Sequence, residues 1–246
     1  MLDSDLLHAY MREFWGFGNP KGTLWFVGME QGGGASEAEI RRRLDAWQER
    51  GRGPFEDLQE YCLAIGESRW TRASPPIQST WKHLIRMALT SNGEASPLAT
   101  IRRFQRESLG RRSGTACLVE LFPLPSRTLS TWQYDKWTTL PEMRTREAYL
   151  AHVGGRREAG LRDMIDLHAP RAVVFYGLGY RDRWRRIVDA PFAETSIENV
   201  SMATRGATRC LLVPHPVARG VTGALYEDAA RLIAEDPTPT MVRSLA

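Results

Sequence analysis

The chain has 246 residues, 42% hydrophobic and 25% charged, with a net charge of +4. That composition belongs to a globular protein with a sizeable core and excludes disordered and collagen-like chains. No apolar stretch is long enough to span a bilayer, and the opening MLDSDLLHAY carries acids where a signal peptide carries basic residues, so the expectation is a cytoplasmic protein with no membrane partner.

In chain order, residues 5–16 read as an amphipathic N-terminal helix, and TLWFVG at 23–28 as a buried strand. SEAEIRRRLDAWQER follows as a helix: Ser36 and Glu39 have capping-box spacing, and Ile40, Leu44 and Trp47 share one face. A second short helix is expected near PFEDLQEY, then a loop and helix through SPPIQSTWKHLIRMALT with Trp81, Leu84, Ile85 and Ala88 inward. Residues 91–113 read as a basic surface excursion with one short helix. TACLVELF at 115–122 is the second strand, stopped by Pro123 and Pro125, and 126–146 an irregular aromatic loop. REAYLAHVGGRREAGLRDMIDLHAP is expected to be helical in its later part, followed by strand AVVFYG at 172–177 and a helix through YRDRWRRIV. RCLLVPHP at 209–216 is the fourth strand, GALYEDAARLIAED a closing helix, and 237–246 a frayed tail. Apolar strands alternating with helices predict an α/β fold, specifically a three-layer α/β/α sandwich around a four-stranded parallel sheet, in one domain.

Cys62, Cys117 and Cys210 are widely separated with no CxxC, which fits buried free thiols. No HExxH, HxH or cysteine–histidine cluster has ligand spacing, so no metal is expected. The GMEQGGG and GLGYRD segments match neither the dinucleotide fingerprint nor the P-loop, and there is no GxSxG elbow, so no cofactor is expected. Arginines cluster at 41–43, 102–106, 111–112 and 181–186, either as a phosphate-tracking face or as solvated helix faces.

Each strand ends in an unusual loop: GMEQGGG, ELFPLPSR, YGLGY and PHPVARG. In a parallel sheet the carboxyl ends share one edge, where ligands bind, so Glu30, Glu120, Tyr180 and His215 are expected to converge. His215 lies between two prolines that fix its direction; the bland alternative is a structural histidine. Glu30 precedes three glycines that permit close approach; its alternative is a helix-associated acid, although Ser36 is the better cap. Tyr180 reads as a packing residue, with catalysis as its alternative. In SPPIQSTW, Gln78 and Ser79 either hold a phosphate at the helix start or form a proline turn with a serine cap.

Together, LWFVGMEQGG, CLVELFPLPS, VVFYGLG and LLVPHPVARG resemble the uracil-DNA glycosylase superfamily, in order over roughly residues 20 to 235. The resemblance implies a four-stranded parallel sheet between helices and a monofunctional DNA glycosylase: DNA as partner, a monomer, no metal and no cofactor. By position, Glu30 is similar to the acid that activates water or stabilises the cation. His215 is similar to the histidine that holds the departing base's carbonyl oxygen. Val217, Ala218 and Arg219 resemble the loop that enters the minor groove, with Arg219 filling the gap. Glu120 takes the place of the base-reading residue, and Gly28, Met29, Gln31 and Phe122 complete the base-contacting set. Arg127, Arg102 and Arg103 join Arg219, Gln78 and Ser79 as DNA contacts. Trp47, Phe55 and Phe122 are candidates to stack on the base.

The proline of the first family motif is absent, and Val217 replaces the serine of the last. An ionised Glu120 accepts hydrogen bonds, which suits an exocyclic amino group better than a carbonyl and points to a modified cytosine or another damaged base. Defence against phage with modified DNA would use such specificity. The alternatives are a non-catalytic nucleic-acid binder, which needs neither Glu30 nor His215, and a nucleotide or small-molecule hydrolase, which needs no long basic face.

Overall fold

The computed structural model describes residues 1–70, 72–128 and 131–234. The tail expected at 237–246 lies outside them. The fold is α/β around one mixed sheet. Its strands are β1 (Gly16–Gly18), β2 (Leu24–Glu30), β3 (Phe55–Glu56), β4 (Ala116–Phe122), β5 (Ala172–Tyr176), β6 (Ala193–Glu194), β7 (Ser201–Arg205) and β8 (Thr208–Val213). The helices are α1 (Ser4–Glu13), α2 (Glu37–Glu49), α3 (Leu58–Ala64), α4 (Ser79–Ser91), α5 (Leu98–Glu107), α6 (Arg146–His168), α7 (Arg181–Val188) and α8 (Gly223–Ala234).

The sheet order is β3-β1-β4-β2-β5-β8-β7-β6, eight strands rather than the expected four. The four strands read from the sequence are its central neighbours, parallel throughout as β4-β2-β5-β8. The correction lies at the edges, where β1 runs antiparallel to β4 and β7 antiparallel to β8. These edge strands are short or polar and show no apolar run. Gly206, with φ of 56°, turns β7 into β8. Trp25, Phe26 and Val27 of β2 are completely buried, so both faces of the central sheet are covered. Each such side chain contributes about 1.5–3 kcal/mol of transfer free energy.

Helix boundaries follow local chemistry. Asp3 caps α1 by accepting from Leu6 N at 2.8 Å, and Phe14 turns extended, so this helix ends before the expected 16. Ser36 caps α2 as its spacing implies. The helix expected only in the later part of 146–168 is continuous. It carries three internal glycines, of which two meet close neighbours: a Cβ at Gly154 would lie 3.0 Å from Arg183 Nη1, and one at Gly160 2.9 Å from the Trp15 ring. Cys62, Cys117 and Cys210 are free and buried. Among the described residues no helix is long and apolar enough to cross a membrane.

The connection from β2 leads to one side of the sheet and that from β5 to the other. The carboxyl ends of these adjacent strands therefore border a topological switch point, where the open crevice of such a sheet forms.

Candidate active site

A cavity of about 810 Å³ occupies that crevice. Met29, Glu30, Gln31 and Gly32 reach it from β2, and Glu120 from β4. Tyr176 to Tyr180 line it beyond β5, Pro214, His215 and Ala218 beyond β8, and Gln78 and Trp81 at the start of α4. Glu30, Glu120, Tyr180 and His215, remote in sequence, thus share one hollow.

Sheet register explains the floor. Gly28 pairs with Glu120, and Glu30 with Phe122, so both carboxyls stand on one face, two residues apart along adjacent strands. Gly28 carries no side chain, and the Tyr176 ring lies over it: a Cβ there would sit 2.2 Å from the tyrosine oxygen. Gly28 therefore supports the site from below without lining it.

The two acids differ electrically. Glu30 meets Arg146, with Nη2 2.7 Å from Oε1, while its Oε2 is buried without a partner. Burial raises the Glu30 carboxyl, and the Arg146 charge and hydrogen bond oppose that rise. Glu120 has no such partner, and its Oε2 is also a buried orphan. Burial, reinforced by the charge of Glu30, pushes it up to about 8 against the weaker pull of Arg157. Arg157 gives its hydrogen bonds instead to the backbone carbonyls of Leu121, Phe14 and Glu120, each at 2.8 Å, and lies 3.4 Å over the Trp15 ring. Glu30 is therefore the acid that ionises first, while Glu120 is mostly protonated at neutral pH. The acceptor expected at position 120 is instead a carboxylic acid that both donates and accepts.

His215 is held by its surroundings. Tyr226 donates to Pro214 O at 2.7 Å, and Val217 N donates to His215 Nδ1 at 3.4 Å. His215 is exposed at the rim, and the partial desolvation of its ring lowers the imidazole's pKa, which favours the neutral form. With Nδ1 accepting, the proton resides on Nε2. The Tyr176 ring meets the imidazole at 5.5 Å and 64°.

Other expected residues take different roles. The Gln31 side chain is engaged in the loop: Nε2 donates to Tyr10 Oη and Pro123 O, both at 3.3 Å, and Oε1 accepts from Arg43 at 3.1 Å. Phe122 does not line the cavity; it is fully buried and packs on Tyr149, with Arg183 over its ring. Trp47 is also core, its Nε1 bound to Gly53 O at 2.8 Å, and Phe55 belongs to the edge strand β3. The rings that do face the cavity are Trp81, Tyr176 and Tyr180. Gln78 rather than Ser79 caps α4, accepting from Trp81 N at 2.7 Å; Ser79 is exposed and outside the lining.

The arginines divide sharply. Arg127 lines the cavity mouth, and exposed Arg219 follows the lining residue Ala218. Arg102 donates to Pro75 O at 3.2 Å. Arg103 lines another hollow beside Thr115, at the amino end of β4 and away from the site. Most clustered arginines serve internal pairs: Arg41 with Glu37, Arg43 with Glu39, Arg111 with Asp57, Arg112 with Glu56, and Arg183 and Arg186 with Glu158. Arg41, Arg112 and Arg186 stay exposed despite their pairs, and Arg42 and Arg181 are exposed as well.

Sequence reasoning missed Arg146, Tyr176 and Arg157. Arg146 and Arg157 lie in a helix whose early part was read as irregular, and Tyr176 ends an apolar strand as an ordinary core aromatic would. No family model matches the chain, and no curated protein matches it.

Proposed function

We propose that the protein is a DNA glycosylase that hydrolyses the N-glycosidic bond of a damaged or modified base and leaves an abasic site. The observation that carries this reading is one cavity holding a charge-paired acid, a neutral acid and a fixed neutral imidazole from three strand ends. The fold, with four parallel strands at its centre, also suits the uracil-DNA glycosylase resemblance.

A flipped nucleotide enters the cavity at a cost of a few kcal/mol in lost stacking. Trp81, Tyr176 or Tyr180 supplies an aromatic face. As the bond to the base stretches, C1′ gains cationic character, and the Glu30 carboxylate stabilises it and orients water, as carboxylates do in glycoside hydrolysis. The Nε2–H of His215 donates to the oxygen of the departing base and disperses its negative charge. Glu120, as a neutral acid, donates and accepts along the base edge, so both carbonyl- and amino-bearing pyrimidines fit its chemistry. No amine nucleophile stands among the lining residues, so water is the acceptor and the enzyme is monofunctional.

The internal pairing of most arginines favours one second reading, hydrolysis of a free nucleoside or nucleotide. Incubation with modified and unmodified duplexes, single strands and free nucleosides, followed by mass spectrometry of released bases, tests both. Release from DNA with alkali-labile abasic sites supports the first reading. Release only from monomers supports the second, and no release from any substrate refutes hydrolysis.

A further inference from the structure

Outside the cleft, three potential metal ligands remote in sequence meet. His8 comes from α1, Glu142 from the short turn at Pro141–Met143, and His152 from α6. His8 Nε2 lies 2.5 Å from Glu142 Oε1, and His152 Nε2 lies 3.9 Å from the same oxygen. One donor atom from each of the three lies within 4.8 Å of the others. Beside them opens a hollow of about 150 Å³ lined by His8, Met11, Arg12, His152, Val153, Arg156 and Arg157.

A histidine–glutamate hydrogen bond accounts for the first contact. A second imidazole, His152, stands 3.9 Å from the same oxygen, in ion-pair range but beyond hydrogen-bonding distance. In a tetrahedral site with metal–ligand bonds of about 2.0–2.1 Å, neighbouring donor atoms stand roughly 3.3 Å apart. The two separations to Glu142 Oε1, 2.5 and 3.9 Å, bracket that value, so modest side-chain rotations convert the cluster into a tripod.

We propose that His8, Glu142 and His152 form a binding site for a divalent transition ion of the zinc class. Two imidazoles and one carboxylate suit zinc, cobalt or nickel, whereas magnesium and calcium prefer all-oxygen shells. Water completes the coordination from the adjoining hollow. The nearby cations do not close the site: Arg12 bonds Glu13 and Arg157 bonds backbone carbonyls, leaving Arg156 at the rim.

The ion's role is to tie α1 to α6. The first of these helices carries Tyr10, the hydrogen-bond partner of Gln31; the second carries Arg146 and Arg157. Metal binding thus stiffens the supports of the catalytic cleft without touching substrate.

Tag-free protein is dialysed against chelator and titrated with Co²⁺, reading the visible d–d absorption, with Zn²⁺ as competitor and Mg²⁺ as control. The expected result is one saturable Co²⁺ site per chain, displaced by Zn²⁺ and indifferent to Mg²⁺, with a higher Tm in Zn²⁺. His152→Gln and Glu142→Gln each weaken binding at least tenfold while circular dichroism stays unchanged. No saturable absorption in the wild-type protein, or undiminished binding in folded His8→Gln/His152→Gln protein, overturns the proposal. The wild-type titration decides the matter even if a variant misfolds.

Discussion

Glu30 and Glu120 stand on one face of adjacent parallel strands, two residues apart in register, and only Glu30 has a guanidinium within hydrogen-bond reach. Burial, reinforced by the Glu30 charge, holds Glu120 neutral up to about pH 8, whereas at Glu30 the Arg146 charge and hydrogen bond oppose the rise that burial causes, so Glu30 ionises first. The proposed chemistry uses both states.

Glu30→Gln is expected to slow base release by about 10²–10⁴-fold, the usual contribution of a positioned proton-transfer or water-orienting group. Single-turnover alkaline cleavage of a substrate duplex measures it. Unchanged rates would remove Glu30 from the mechanism.

If neutral Glu120 donates to the base, activity falls as pH rises through about 8. Glu120→Gln, which cannot ionise, removes that limb from the kcat/KM profile. The sign for stability follows from the same raised value. Between the unfolded carboxyl's value of about 4.3 and the folded one, the native state holds the extra proton, so the wild-type protein loses stability as pH rises across that window. The Tm advantage of Glu120→Gln over wild type should therefore grow from pH 4.5 to 8 and level off above it. A constant difference would show that Glu120 titrates normally.

Gly28→Ala drives a methyl group into the Tyr176 ring, whose nearest atoms lie 2.2 and 2.5 Å from the added carbon. The tyrosine must leave its place beside His215, so catalysis should drop well over tenfold. Near-ultraviolet circular dichroism would report the displaced ring; wild-type rates and an unchanged spectrum would contradict this account.

Arg157→Met leaves several buried carbonyls without a donor, each costing about 1–3 kcal/mol. A stability loss above about 3 kcal/mol is expected in urea unfolding. A loss under about 1 kcal/mol would mean that water replaces the guanidinium.

Arg127→Ala and Arg219→Ala should each lower duplex affinity and reduce the salt slope by about one counterion. Base release from free nucleosides would be unaffected in Arg219→Ala, which lies outside the cavity lining. An unaltered slope in both variants would place the phosphates elsewhere.

The four central strands were legible because each is a continuous apolar run ended by glycine or proline, and a strand covered on both faces must read that way. Strand ends then nominated Glu30, Glu120 and His215, because a parallel sheet gathers its carboxyl ends on one edge. The α2 cap was equally legible, since capping is local. Tertiary structure decided everything that depends on non-local partners. The edge strands β1, β3, β6 and β7 have no apolar period of their own and exist by pairing with neighbours. The protonation of Glu120 depends on its burial in the packed sheet and on the neighbouring Glu30 charge, and the Arg146 that pairs with Glu30 follows it by more than a hundred residues. Several clustered arginines that composition leaves outward are claimed by carboxylates from other elements: Arg111 by Asp57, Arg112 by Glu56, and Arg183 and Arg186 by Glu158. The His8–Glu142–His152 triad had no ligand spacing because its members meet only when α1 packs against α6. Local pattern determines where chain segments become strands and helices; charge, protonation and ligand geometry are properties of distances between segments, and those are set only by packing.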